Sequence, residues 1–107
     1  MSISIRGGVD NALLSVKQAL QGYQAAHPTA KIDLYRQNSF AVRIRVIDPG
    51  FSGLEKSDRH SRVWQALEGL PEETQGDISM VLTLAFGEES RSMGNLEFED
   101  PSPSIVH

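Results

Sequence analysis

The chain has 107 residues, 39% hydrophobic and 22% charged, with no cysteine and a formal net charge of −4. That balance indicates one globular domain with a modest core, and no apolar run approaches the roughly 20 residues that a membrane span needs. The lack of cysteine excludes disulfides, thiolate metal sites and cysteine nucleophiles. Together with an N-terminal stretch that has no apolar signal core, it leads to the expectation of a cytoplasmic protein.

Asp10 or Asn11 caps a first helix, in which Leu13, Val16, Leu20 and Tyr23 recur at spacings of three and four. The helix should stop before His27-Pro28, because a residue preceding proline disfavours helical dihedrals. Lys31 to Arg36 alternates polar and apolar as a half-buried strand, and Gln37-Asn38-Ser39 forms a short turn. The next strand sets Phe40, Val42, Ile44 and Val46 on its core face and Arg43 and Arg45 on a solvent-facing side, and Asp48-Pro49-Gly50 ends it. A second helix starts with Ser57 as cap and buries Val63, Ala66, Leu67 and Leu70. Glu72 to Gly76 supplies a brief extra helical turn. In the last strand Ile78, Met80, Leu82, Leu84 and Phe86 form the strongly apolar side, against Ser79, Val81, Thr83 and Ala85.

After Gly87 the apolar pattern ends. Residues 1–87 carry nine basic and nine acidic side chains, whereas Glu88, Glu89, Glu97, Glu99 and Asp100 are set against Arg91 alone. The expected division is a domain over 1–87 and an acidic, flexible tail over 88–107, with Leu96-Glu97-Phe98 as its one attachment point. The expected fold class is α+β in the order α-β-β-α-(α)-β. One hairpin and one crossover helix give a three-stranded mixed sheet, and both helices cover one face.

Chemistry concentrates at the start of the second helix. Phe51 and Gly53 precede, after a spacer of five residues, the pair Arg59-His60, followed by Arg62, Val63, Trp64 and Leu67. A histidine in a first helical turn, between two arginines, sits in positive surroundings that disfavour imidazolium, and the neutral ring is the form that ligates metals. The bland alternative is a half-buried helix histidine bonded to a carbonyl. Trp64 reads as a core or rim packer. His27 belongs to a helix-ending turn, and neither it nor His107 has a partner at ligand spacing.

With that order and spacing, the chain resembles the BolA-like family, whose hallmark is Phe-x-Gly, a spacer of five, Arg-His, an aliphatic–aromatic pair and a leucine. Phe51, Gly53, Arg59, His60, Val63, Trp64 and Leu67 stand at those positions, and the resemblance covers about residues 12–86. It departs from the family where Ser61 follows the histidine, where Ser79-Met80-Val81 replaces a histidine-containing segment, in a longer Glu68–Asp77 stretch, and in a hairpin with neither Cys nor His. The resemblance implies a class II KH-like fold and one of two roles. One is a non-enzymatic adaptor in iron–sulfur handling or redox and stress regulation. It would pair with a monothiol glutaredoxin through Phe51, Gly53, Arg59, His60 and Arg62, and share a 2Fe–2S cluster with His60 as ligand. The other is a nucleic-acid-binding transcriptional regulator.

The binder alternative would use Arg43, Arg45, Arg59 and Arg62 as a basic stripe. Gly50-Phe51-Ser52-Gly53 spells the phosphate-gripping Gly-x-x-Gly of KH domains but follows a strand, while the usual place, around Leu70–Asp77, holds Glu72, Glu73 and Asp77. A third possibility is an interaction domain that has lost both activities. Enzymatic readings lack support: Asp58, His60 and Ser61 point different ways on a helix, the paired glutamates fall in solvated connections, and no phosphate loop or dinucleotide fingerprint is present.

Overall fold

The computed structural model describes residues 3–38 and 41–88 of the chain. Its elements run β1 (Ile3–Arg6), α1 (Asn11–Ala26), β2 (Lys31–Asn38), β3 (Ala41–Ile47), a single 3-10 turn (Pro49–Phe51), α2 (Lys56–Leu67), α3 (Glu72–Asp77) and β4 (Ile78–Leu84). The fold is α+β, as expected from the alternation of helical and strand periods. The sheet, however, has four strands rather than three, in the order β1-β2-β3-β4. β1 runs parallel to β2, β2 antiparallel to β3, and β3 parallel to β4. The additional strand comes from Ile3-Ser4-Ile5-Arg6, a period-2 run too short to stand out; Ile3 and Ile5 align with Ile32 and Leu34 and pack against the core.

α1 forms as its residues dictate. Asp10 caps it, its Oδ1 accepting a hydrogen bond from the Leu13 amide at 2.8 Å, and satisfies one of the orphan donors of the first turn. Leu13, Val16 and Leu20 are fully buried, and the helix ends at Ala26 with His27 as C-cap. These side chains meet Val63 and Leu67 of α2 over Ile32, Leu34, Val42, Ile44 and Val46 of the sheet, so both long helices cover one face. No helix among the described residues is long and apolar enough to cross a membrane.

Two further expectations are corrected. In β4 the apolar side assigned from strict alternation lies on the wrong face. Val81 and Thr83 align with Ile44 and Val46, on the side of the helices, whereas Met80, Leu82 and Leu84 align with Arg43, Arg45 and Ile47. The cause is a register shift between Val42 and Arg43, whose partners are Ile78 and Met80, so that Ser79 is skipped. One extra residue in a strand flips every later side chain to the other face. Ser79 Oγ donates to the Val42 carbonyl at 3.3 Å across this bulge.

The second correction is Arg45, which is not solvent-facing but 1% exposed. Its Nε and Nη2 both donate to Oδ2 of Asp33, its cross-strand partner, at 2.9 and 2.6 Å. Tyr35 and Ile47 on the same face are buried as well. Alternation identifies which residues share a face, but not whether that face is covered, and a charge tolerates such burial only when paired. Phe40 and the tail from residue 89 onward lie outside the described residues.

Candidate functional site

The loop into α2 is built around a buried carboxylate. Asp48 caps the 3-10 turn by accepting from the Gly50 amide at 2.8 Å, and its Oδ2 accepts from the Tyr23 hydroxyl at 2.6 Å. His27 Nδ1 lies 3.5 Å from the same oxygen, with its ring stacked on Tyr23 at 4.2 Å. Burial first, and then the Asp48 bond, push the Tyr23 phenol above its ordinary range. This contact fastens the end of α1 to the turn carrying Phe51, which is fully buried. Phe51 is therefore an anchor of the loop and not a surface for a partner, contrary to its inclusion in the expected docking set. Gly53 has φ of +81° with open space where a Cβ would stand, so glycine is required there by the backbone and not by crowding.

α2 begins at Lys56, one residue before the expected cap, with Glu55 at the N-cap and no side-chain cap bond. His60 is thus the fifth helical residue, one turn in, whereas the dipole effect is concentrated in the first turn. The expected positive rim is also rearranged. Arg59 is 7% exposed. Its Nη1 and Nη2 donate to the two carboxylate oxygens of Glu88 at 2.6 and 3.1 Å, and its Nε donates to the Leu54 carbonyl at 3.0 Å. Its guanidinium carbon lies 5.9 Å from the Phe51 ring centroid. Glu88 in turn accepts from the Ala85 amide at 2.9 Å, and its bond holds Arg59 even above the usual arginine range. Arg59 is an internal staple between the loop, α2 and the end of β4. Glu88, assigned by composition to the tail, belongs to the folded domain.

The four arginines of the basic stripe are consequently not assembled. Arg45 is paired with Asp33 and Arg59 with Glu88. Arg43 is half-buried and donates from Nε and Nη2 to Gln37 Oε1 at 3.0 and 2.8 Å. Arg62 is exposed and stands two residues from His60, a spacing at which helical side chains do not share a face. The stretch from Glu72 to Asp77 is a short helix with Glu72 and Glu73 in its first turn, an arrangement that repels phosphate.

His60 is exposed. Its one ring contact among the described residues is to Trp64, with centroids 5.8 Å apart and planes inclined by 10°. Neither ring nitrogen is hydrogen-bonded or ion-paired to a described residue, so the carbonyl-bonded alternative does not hold. At a spacing of four residues along the helix its neighbours are Lys56 and Trp64. No group of three or more His, Asp, Glu or Cys placed to hold a metal occurs among the described residues. The chemistry available is that of a single histidine side chain open to another molecule.

No family model matches the chain, and no curated protein does. Among solved structures the chain is similar to BolA1 from Arabidopsis thaliana, at 16% identity over 72% of this chain and 92% of that one, with a TM-score of 0.48. A likeness of that size assigns no function.

Proposed function

We propose that the protein is a non-enzymatic adaptor in iron–sulfur handling or redox regulation. It pairs with a monothiol glutaredoxin, and His60 completes the ligand set of a 2Fe–2S cluster held between the two proteins. The observation that carries this reading is the state of His60: an exposed ring whose two nitrogens have no partner among the described residues, at the histidine position of a motif that resembles the BolA-like family. Such a ring offers an in-plane lone pair without first breaking an internal bond. A thiolate-bound cluster is net anionic, and Lys56, one turn before His60, provides a local charge of the complementary sign.

A bound cluster would supply reversible one-electron chemistry and its visible absorption. This chain would supply one neutral nitrogen ligand and a rigid helix to present it. Because one ligand cannot retain a cluster, the protein alone should not. Partner recognition falls to the exposed residues around Gly53 and the outer face of α2, while Phe51 and Arg59 hold that surface in shape.

The test is a titration of the cluster-loaded glutaredoxin with this protein, followed by visible absorption and circular dichroism. Wild-type protein should shift the bands, and His60→Ala should leave them as in the glutaredoxin alone while still folding. Unshifted bands with wild type at high protein concentration contradict the reading and leave an interaction domain without cluster chemistry.

A further inference from the structure

The one ring contact that His60 makes among the described residues is to Trp64, and the two aromatic rings differ in how they are held. His60 stands on the exposed surface of α2, whereas Trp64 is half-buried and packs against the core. Trp64 is flanked by Val63, fully buried one residue before it, and by Leu67, fully buried three residues after it. One side of the indole is therefore fixed by the interior, and its outer side is left for the residue one helical turn earlier. Side chains at i and i+4 lie one above the other on a helix, so the imidazole meets that outer side. A centroid separation of 5.8 Å with planes 10° apart falls within the range of offset-stacked aromatic pairs.

We infer that Trp64 is a positioning residue for His60, holding the imidazole in one orientation by its face so that its edge remains available. The distinction between face and edge is the physical content. A hydrogen bond to a carbonyl or carboxylate, the usual way of orienting a ligand histidine, occupies one ring nitrogen. Stacking acts on the π face and leaves both in-plane nitrogens free. It thus removes rotational freedom before a ligand arrives without using the donor that the ligand needs, which is the way preorganisation raises affinity. An exposed histidine without such a platform would have to lose that freedom on binding. The functional consequence rests on the reading of His60 as a metal ligand, whereas the orientation of the ring does not.

The experiment uses the full-length protein with three variants. Trp64→Phe keeps an aromatic face, Trp64→Leu keeps bulk without one, and His60→Ala removes the ligand. In NMR spectra of the free proteins, the His60 ring protons should show ring-current displacement and a single side-chain rotamer in wild type, with most of this retained in Trp64→Phe. Both should be lost in Trp64→Leu, with the amide spectrum of the fold unchanged. Nickel(II) nitrilotriacetate is then titrated in and followed at His60. Its affinity should fall roughly threefold to tenfold in Trp64→Leu, recover in Trp64→Phe, and vanish at that position in His60→Ala. His60 signals that are the same in wild type and Trp64→Leu, or equal nickel affinity in the two, would overturn the inference. A failed glutaredoxin titration alongside a positive outcome here would sink the cluster reading and leave the positioning role standing.

Discussion

The inner and outer faces of α2 give opposite surroundings to residues that are adjacent in the chain. On the inner face, Arg59 is almost fully buried and bonds to Glu88 and the Leu54 carbonyl. On the outer face, His60 has no hydrogen bond to a described residue and stacks on one ring. The Arg-His pair, which reads in sequence as one positively rimmed site, is thus divided between a structural half and a chemical half. A motif shared by spacing need not act as a unit: a rotation of about 100° per residue separates consecutive side chains on a helix. The buried Arg45 teaches the same point about the sheet, where a cation that alternation places on an outer face is internal and paired with Asp33.

This contrast can be broken most sharply at Arg45. Arg45→Ala leaves the Asp33 carboxylate buried without its partner and should destabilise the protein by about 3–5 kcal/mol in urea unfolding. Replacing both members by apolar residues, Asp33→Leu with Arg45→Met, should recover most of that loss. Recovery identifies the penalty as an orphaned buried charge, and its absence would mean that the pair's geometry itself is required.

Arg59→Ala should cost about 2 kcal/mol, since it strips charge-assisted bonds from Glu88 and a donor from Leu54. Arg59→Lys should restore little, because an ammonium cannot reach two carboxylate oxygens and a carbonyl in a fixed fork. A neutral Arg59→Ala would return this residue to the surface and undo the division.

Acid should expose a smaller effect at the start of α1. The Arg36 hydrogen bond and then the Leu13 amide hold the Asp10 carboxyl below its ordinary value. A depressed folded value contributes stability that is present above the unfolded value near about 4 and is lost as pH falls through the folded one. Asp10 is substantially exposed, so solvent screening keeps the contribution small. Asp10→Asn retains capping ability and should unfold with a shallower dependence on pH below about 4, whereas Asp10→Ala should lose about 1 kcal/mol at neutral pH as well. Identical acid profiles for wild type and Asp10→Asn would remove the ion pair from the account. At the small end, His60→Ala should change stability by less than about 0.5 kcal/mol, as expected of an exposed residue that the core does not need. A larger loss in thermal unfolding would place His60 among the structural residues.

Much of the scaffold was legible because local rules and tertiary demands agree in it. The Asp10 cap, the Leu13-Val16-Leu20-Tyr23 stripe and the stop before Pro28 each follow from short-range chemistry, and all three stand in the structure. The misreadings occur where a long-range partner or a single inserted residue decides. The bulge at Ser79 reverses the faces of β4, and no alternation rule marks which residue of a strand will be skipped. Asp33 and Arg45 are twelve residues apart, and Arg59 and Glu88 twenty-nine, so neither pairing shows in a local window. The Asp48 cap was available in the Asp-Pro-Gly spelling, but its bond to Tyr23 requires the packing of α1 against the loop. His60 stands out in the sequence as a histidine near a helix start between two arginines, at the histidine position of the motif. Its open ring nitrogens and its stack on Trp64 depend on which face of α2 is covered, and no local pattern marks that.

The division of α2 into an inner and an outer face is tested most directly by footprinting the native protein at those two neighbouring residues. The folded chain is treated with diethyl pyrocarbonate and phenylglyoxal, reagents for histidine and arginine, and the modified sites are read by peptide mass mapping. The account predicts that His60 reacts as fast as a histidine in a short peptide, while Arg59 stays unmodified until the protein unfolds. A protected His60, or an Arg59 that reacts as readily as the exposed Arg62, would contradict it.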